Sequence, residues 1–348
     1  MTFLALRRTA GAVALASAVI FGAGTAMAQE VTLRMHHFLP PQATVPAKFL
    51  VPWAEKVEAD SGGRIKIDVF PAMQLGGKPP ELIDQAKDGV ADIVWTLPGY
   101  TPGRFPRVEV FELPFTMTTA EATSKAYSEL FEAEMKDADF KDFKIIATWV
   151  HGPGMFHMKG DGIRSLDDMS GKKLRGPTRV INGLLGELGA TAIGMPVPAI
   201  PEALSKGVID GTVIPWEVTS ALKIPELTNT HTNFSGDKAL YTAAFVLAMN
   251  KQKYDSLPDD LKAVIDANSG VEVSGQAGKI MEDADAPARQ IAVDAGNTIV
   301  TLDDAETTRW QEAAKPVTER WLEEMSGKGI DGAGLLAKAN ELIAKHTQ

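Results

Sequence analysis

Gln85-Ala86-Lys87-Asp88-Gly89-Val90-Ala91-Asp92 in the first half of the chain has a counterpart in Ala203-Leu204-Ser205-Lys206-Gly207-Val208-Ile209-Asp210 in the second. Each stretch ends a proline-opened helix (Pro80, Pro201) at a glycine, then runs through V-x-D into an apolar strand. Glycine takes the left-handed conformation that caps a helix, so the strand can begin at once. One such unit is common in α/β proteins. Two, 118 residues apart, predict paired lobes of like construction with a cleft between them.

The flanking sequence supports an α/β class. Val31–Phe38 reads as a strand ended by Pro40-Pro41, and Ala47–Ala59 as a helix with Phe49, Leu50, Trp53, Ala54 and Val57 on one face. Arg64–Phe70 alternates polar and apolar residues as a half-buried strand does, and Ala91–Trp95 follows the Pro79-Pro80 helix as a third strand. Strand, helix, strand, helix, strand implies crossover connections in a largely parallel sheet. Phe143–Met158, Lys173–Arg175 and Tyr241–Asn250 read as further strands. From Leu257 the chain turns largely helical, broken at Gly327–Gly334 before a short last helix, Leu335–Ala344. Terminal helices of this kind are expected to span both lobes. The division expected is a signal segment (1–28), lobe I (29–150 plus 238–280), lobe II (151–237 plus 281–310) and C-terminal helices (311–348).

Composition excludes several classes. The 348 residues are 45% hydrophobic and 23% charged, enough apolar surface to offset the ordering entropy of the chain. No cysteine is present, which removes disulfides, thiolate nucleophiles and Cys-ligated zinc or iron–sulfur clusters. A net charge of −10 argues against a nucleic-acid partner. Arg7 and Arg8, the uncharged run Ala10–Ala23 and the small-x-small site Ala26-Met27-Ala28 have the three-part form of a secretory signal, with the mature chain expected to begin at Gln29. An exported, periplasmic protein without membrane insertion after cleavage is therefore expected.

Catalytic motifs are missing: HExxH, the Walker loop, the Rossmann glycine triplet and GxSxG do not occur. Ser220-Ala221-Leu222-Lys223 matches S-x-x-K without its companion motifs. His36 and His37, adjacent on a strand, point to opposite faces and cannot chelate one metal; His151 and His157, six apart, could share a face. No enzyme, cofactor or metal is implied. In Gly171-Lys172-Lys173-Leu174-Arg175-Gly176-Pro177 spacing alone makes Arg175 a surface charge or, at a strand end beside a break, an anion ligand.

The mature chain resembles the solute-binding proteins of tripartite ATP-independent periplasmic (TRAP) transporters, in the C4-dicarboxylate-binding class. The resemblance rests on Ser61–Lys66, Pro71-Ala72-Met73-Gln74-Leu75-Gly76-Gly77, Gly89–Ile93, Gly171–Arg175, Ala203–Gly211 and Asn250–Pro258. It implies a two-lobed periplasmic binding protein fold, a membrane permease as partner, and a role for Arg175, the Arg of the G-x-K-L-R motif, in binding the solute carboxylate. The chain departs from sialic-acid-type members. Ile214 stands where they carry Asn, and Met155-Phe156 where they carry a second Arg. The candidate solute-binding set is Arg175, Trp216, Trp95, Tyr100, Phe38, His37, Met155, Ile214 and Tyr241. One Arg among apolar and aromatic walls suggests a monocarboxylate with an apolar or aromatic body. The alternatives are a C4-dicarboxylate or 2-oxo/hydroxy acid, an exported enzyme acting in the cleft, or a sensory subunit of a signalling receptor.

Overall fold

A computed structural model describes Thr2 and residues 29–347; the expected signal segment, Thr2 apart, lies outside the described residues. Two sheets form. The first contains β1 (Val31–His36), β2 (Ile65–Phe70), β3 (Ile93–Thr96), β4 (Phe143–Val150) and β10 (Ala244–Asn250) in the order β2-β1-β3-β10-β4. The second contains β5 (Met155–Met158), β6 (Lys173–Gly176), β7 (Thr191–Gly194), β8 (Gly211–Ile214), β9 (Thr230–Phe234) and β11 (Thr298–Leu302) in the order β11-β9-β5-β8-β6-β7. Strands β2-β1-β3 are parallel with an antiparallel neighbour, and so are β7-β6-β8. The paired-lobe expectation thus corresponds to one strand plan used twice.

The repeated octapeptide shows why. Gly89 and Gly207 end the helices Leu82–Lys87 and Ile200–Ser205 at φ of 74° and 69°. Asp92 then donates its amide to the Arg34 carbonyl (2.9 Å), and its carboxylate accepts the Arg34 amide at 2.7 Å. Asp210 does the same with Lys173, accepting its amide at 2.8 Å. A carboxylate on a backbone N–H is a strong, charge-assisted bond. Each lobe therefore uses the Asp of V-x-D to dock its third parallel strand on its first.

Phe143–Met158, read as one strand from sequence, is two strands in different sheets, separated by His151-Gly152-Pro153-Gly154. His151 and His157 consequently share no face. The chain returns from β9 to β10 beside this crossing. The two connections are tied by Gly154 N–H to the Tyr241 carbonyl (3.0 Å), the Thr242 hydroxyl to the His151 carbonyl (2.8 Å) and the Ala243 amide to His151 Nε2 (3.0 Å). Strands β7, β9 and β11 were not assigned from sequence; β11 lies within the stretch read as helical, on the edge of the second sheet.

The helix Asp304–Gly327 packs Trp310 on Phe156 and Phe234 of the second sheet, at ring separations of 5.5 and 5.1 Å. Its Trp321 indole donates to Glu109 of the first lobe (3.1 Å). The last helix runs Gly332–Thr347, longer at both ends than expected, and ties Lys345 and His346 to Glu129 on the helix Ala120–Leu130. The helix Asp304–Gly327 therefore bridges the lobes, and the last helix packs on the first lobe.

The helix Val271–Asp283 lies close on Ala120–Leu130 through Gly278, where a Cβ would collide with Ser124 Oγ and the Ala120 carbonyl. Backbone cannot yield as a side chain can. Gly278→Ala should lower unfolding stability by about 1–3 kcal/mol, the range for overpacking. Chemical denaturation checks this, and an unchanged midpoint would mean that the helices do not approach so closely.

Candidate functional site

The carboxyl ends of β1, β3, β6 and β8 meet at a cavity between the lobes, where open α/β sheets place ligands. About 40 Å3 of it is accessible to water. Phe38, Trp95, Leu97, Tyr100 and Phe245 come from the first lobe; Arg175, Pro177, Val197, Ile214, Glu217 and Val218 come from the second; His151, Tyr241 and Ala243 come from the crossing segments. The first-lobe wall is aromatic: Phe38 and Trp95 lie 4.6 Å apart, and Trp95 stacks on Trp149 at 6.1 Å with Phe245 against both.

Arg175 faces that wall from β6. Its backbone pairs with Ile193 of β7 and Thr212 of β8, and the side chain is only 1% exposed. Alternation along the strand sends Leu174 into the lobe core and Arg175 to the opposite face, which the first lobe covers. The surface reading of Arg175 is thereby corrected. Nε donates to the Met195 carbonyl (2.9 Å) and Nη1 to the Val213 carbonyl (3.3 Å); Nη2 is buried with no hydrogen-bond partner among the described residues. Burial pulls the guanidinium pKa below its ordinary value, opposed by the Tyr100 and Tyr241 phenols beside it. Arginine stays charged even so. Tyr100 accepts the Val197 amide across the cleft (3.0 Å), while the Tyr241 hydroxyl and the Trp95 indole N–H are buried and unpartnered among the described residues.

Three further groups complete the electrostatics. His151 accepts the Ala243 amide at Nε2, so its proton sits on Nδ1, which donates to the Gly152 carbonyl (2.5 Å); burial lowers its pKa to about 4 and keeps it neutral. Glu112, buried, accepts the Thr178 hydroxyl across the lobes (2.7 Å) and the Ala244 amide of its own lobe (3.2 Å), and burial raises its pKa to about 8. Glu217 is raised to about 8, also by burial, and its Oε2 is unpartnered among the described residues.

Six of the nine sequence candidates line the cavity: Arg175, Trp95, Tyr100, Phe38, Ile214 and Tyr241. The other three stand outside its lining. β8 stops at Ile214 and Pro215 turns the chain, so Trp216 packs with Met155, Ile299, Ala288 and Ala292 instead. There its indole covers His157 and His231, whose Nδ1 atoms share a 2.7 Å hydrogen bond. His37 is buried beside Trp95, at a ring separation of 6.0 Å, and does not reach the cavity. Sequence reasoning missed His151, Glu217 and Phe245. The Gly152-Pro153-Gly154 punctuation after β4 was the available signal for the first; the others depend on contacts distant in sequence. Among the described residues no group of three or more His, Asp or Glu could hold a metal, and no helix is long and apolar enough to cross a membrane.

Comparison with known proteins agrees with this architecture. Residues 35–324 match the family model of bacterial extracellular solute-binding proteins, family 7. A TRAP solute-binding protein from Rhodoferax ferrireducens, solved with copurified benzoate, is 51% identical and superposes with a TM-score of 0.89, over 91% of this chain and 98% of that one. A marine metagenome TRAP solute-binding protein specific for aromatic acid ligands, solved with 3-hydroxybenzoate, is 49% identical with a TM-score of 0.90, over 92% of this chain and all of that one. The C4-dicarboxylate-binding periplasmic protein DctP of Rhodobacter capsulatus is 26% identical, over 93% of this chain and 96% of its own. With a buried arginine at a closed interlobe cavity and the family model spanning most of its length, the chain belongs to the extracellular solute-binding proteins of family 7, of the TRAP-transporter type.

Proposed function

We propose that the protein captures an aromatic monocarboxylate in the periplasm and hands it to the membrane permease of a TRAP transporter, after export by cleavage of residues 1–28. The observation that carries this reading is the buried Arg175 Nη2, unpartnered among the described residues and faced by the Phe38–Trp95 wall. Guanidinium presents a planar fork that suits a carboxylate, and away from water the pair gains strength. The ring of the solute would lie against the aromatic wall, while Tyr241 and Trp95 offer two further donors. The benzoate and 3-hydroxybenzoate bound by the two similar proteins support this solute class. Capture would proceed by hinge closure, with the lobes divided near 150/151, 237/238 and 280/281.

A thermal-shift panel of carboxylic acids on the mature chain, with Arg175→Ala alongside, tests the reading. Benzoate-type acids should stabilise the wild type. Removing one partner of a desolvated charge pair costs about 2–5 kcal/mol, so the variant should bind about 30-fold to several thousand-fold more weakly. Stabilisation by C4-dicarboxylates in place of aromatic acids would overturn the solute class, and equal binding by the variant would overturn the role of Arg175.

The buried acids and histidines also predict how stability varies with pH. Glu112 and Glu217 have folded pKa values near 8, above the ordinary 4.5, so the folded state holds more protons than the unfolded one between those values. Their contribution is fully present below pH 4.5 and is lost as pH rises through 8. His37, His151 and His231, lowered from 6.5 to about 4, contribute stability above pH 6.5 that is lost as pH falls through 4. The melting temperature should therefore decline on the alkaline side, and Glu112→Gln should flatten that decline between pH 6.5 and 8. Parallel wild-type and variant profiles would show that Glu112 is not held neutral.

A further inference from the structure

We infer that Glu217 forms a second polar subsite which selects, among aromatic monocarboxylates, those bearing a hydroxyl group. The inference rests on the aromatic-acid reading above and adds what distinguishes one such acid from another. Glu217 lies in the turn after β8, in the cavity lining, and is 3% exposed. Its backbone is fixed on both sides: the amide donates to Asp285 (2.7 Å), and the carbonyl faces the Thr44 hydroxyl from the other lobe at 3.5 Å. Glu217 is thus held in the cavity lining with the Thr44 hydroxyl near its carboxyl, and Oε2 is buried with no hydrogen-bond partner among the described residues.

A buried acceptor without a partner costs free energy that a ligand donor can recover. The chemistry of the cavity decides which donor. Arg175 supplies one buried positive charge and the solute carboxylate one negative charge, which together balance. Glu217 sits in apolar surroundings that favour its neutral form, with the acidic Asp285 beside it also raised by burial and by Glu217 itself. A second solute carboxylate there would crowd a third acid into the same place. A solute ammonium would require Glu217 to ionise, adding a second desolvated ion pair. A hydroxyl needs neither: it donates to Oε2 and leaves the charge balance of the cavity unchanged. Because the site is built to receive a hydroxyl, it should discriminate against the analogue lacking one more strongly than an apolar pocket discriminates by size.

The test is calorimetric titration of the mature chain with benzoate, 3-hydroxybenzoate, 4-hydroxybenzoate and 3-(aminomethyl)benzoate, repeated on Glu217→Met and Glu217→Gln. The expected result is at least a tenfold preference of the wild type for one hydroxybenzoate over benzoate. Glu217→Met should bring that ratio of dissociation constants to within about twofold of unity. Glu217→Gln, whose amide oxygen still accepts, should keep part of it, and melting curves report that both variants fold. A wild type that binds benzoate as tightly as both hydroxybenzoates, an undiminished ratio in Glu217→Met, or a preference for the aminomethyl acid would each overturn the subsite. Failure of all four acids to bind would instead refute the aromatic-acid reading on which it rests.

Discussion

A fully buried guanidinium with only backbone carbonyls for fixed partners is the constraint around which the rest of this molecule is arranged. Arg175 donates to Met195 and Val213, whose carbonyls orient it and stabilise its charge without neutralising it. Leaving a cation away from water in that state is expensive, and a buried charge is normally paired. No other residue of the cavity lining supplies a firm anion: Glu217 is pushed toward its neutral form, and the phenols of Tyr100 and Tyr241 have their pKa values raised by burial. On the proposed reading the missing counter-ion is the solute, so closure of the lobes and capture of the anion stabilise one another.

The fold makes that coupling mechanical. Arg175, Ile214 and Glu217 belong to the second lobe, while the aromatic wall belongs to the first, so neither lobe alone holds both the charge and the apolar surface. The cavity floor is made by the crossing segments themselves. His151 receives the Ala243 amide there, and its edge meets the Tyr241 ring at 5.5 Å. A solute touching Tyr241 would therefore touch the hinge. Direct interlobe bonds rim the site: Tyr100 with Val197, Glu112 with Thr178, and Arg179 with Glu109. The helix Asp304–Gly327 adds a bridge outside it, since Glu109 is also bonded to Trp321 and Arg179 to Glu324.

Much of this was legible in the sequence because it is local. The proline-opened, glycine-closed helix followed by V-x-D carries its own capping and docking chemistry, so its recurrence revealed the doubled strand plan. The six candidates that line the cavity lie at or near the ends of parallel strands or in the crossing segment, where topology fixes their place. Errors arose where one backbone turn redirects the chain. Pro215 carries Trp216 off the line of β8, and Gly152-Pro153-Gly154 moves the chain from one sheet to the other within what reads as continuous apolar sequence. Arg175 is the instructive case. Alternation along β6 correctly places it opposite the core, but only the other lobe, folded from residues far away in sequence, turns that exposed face into a buried one.

The division of labour between lobes also explains why one framework can serve many anions. The G-K-K-L-R segment fixes Arg175, the carboxylate site on the proposed reading, through strand register and two backbone carbonyls. Much of the remaining lining is supplied by single residues in or just beyond strands: Phe38, Trp95, Ile214, Glu217 and Phe245. The backbone that carries them is held by strand pairing or by bonds such as Glu217 N–H to Asp285. On the proposed reading, affinity for an acid resides in the geometry of one strand end, whereas the identity of the acid is decided by the side chains around it. In this chain those side chains are aromatic on one wall and carry one unpartnered carboxyl on the other, a combination that suits a flat monoanion better than a flexible dianion.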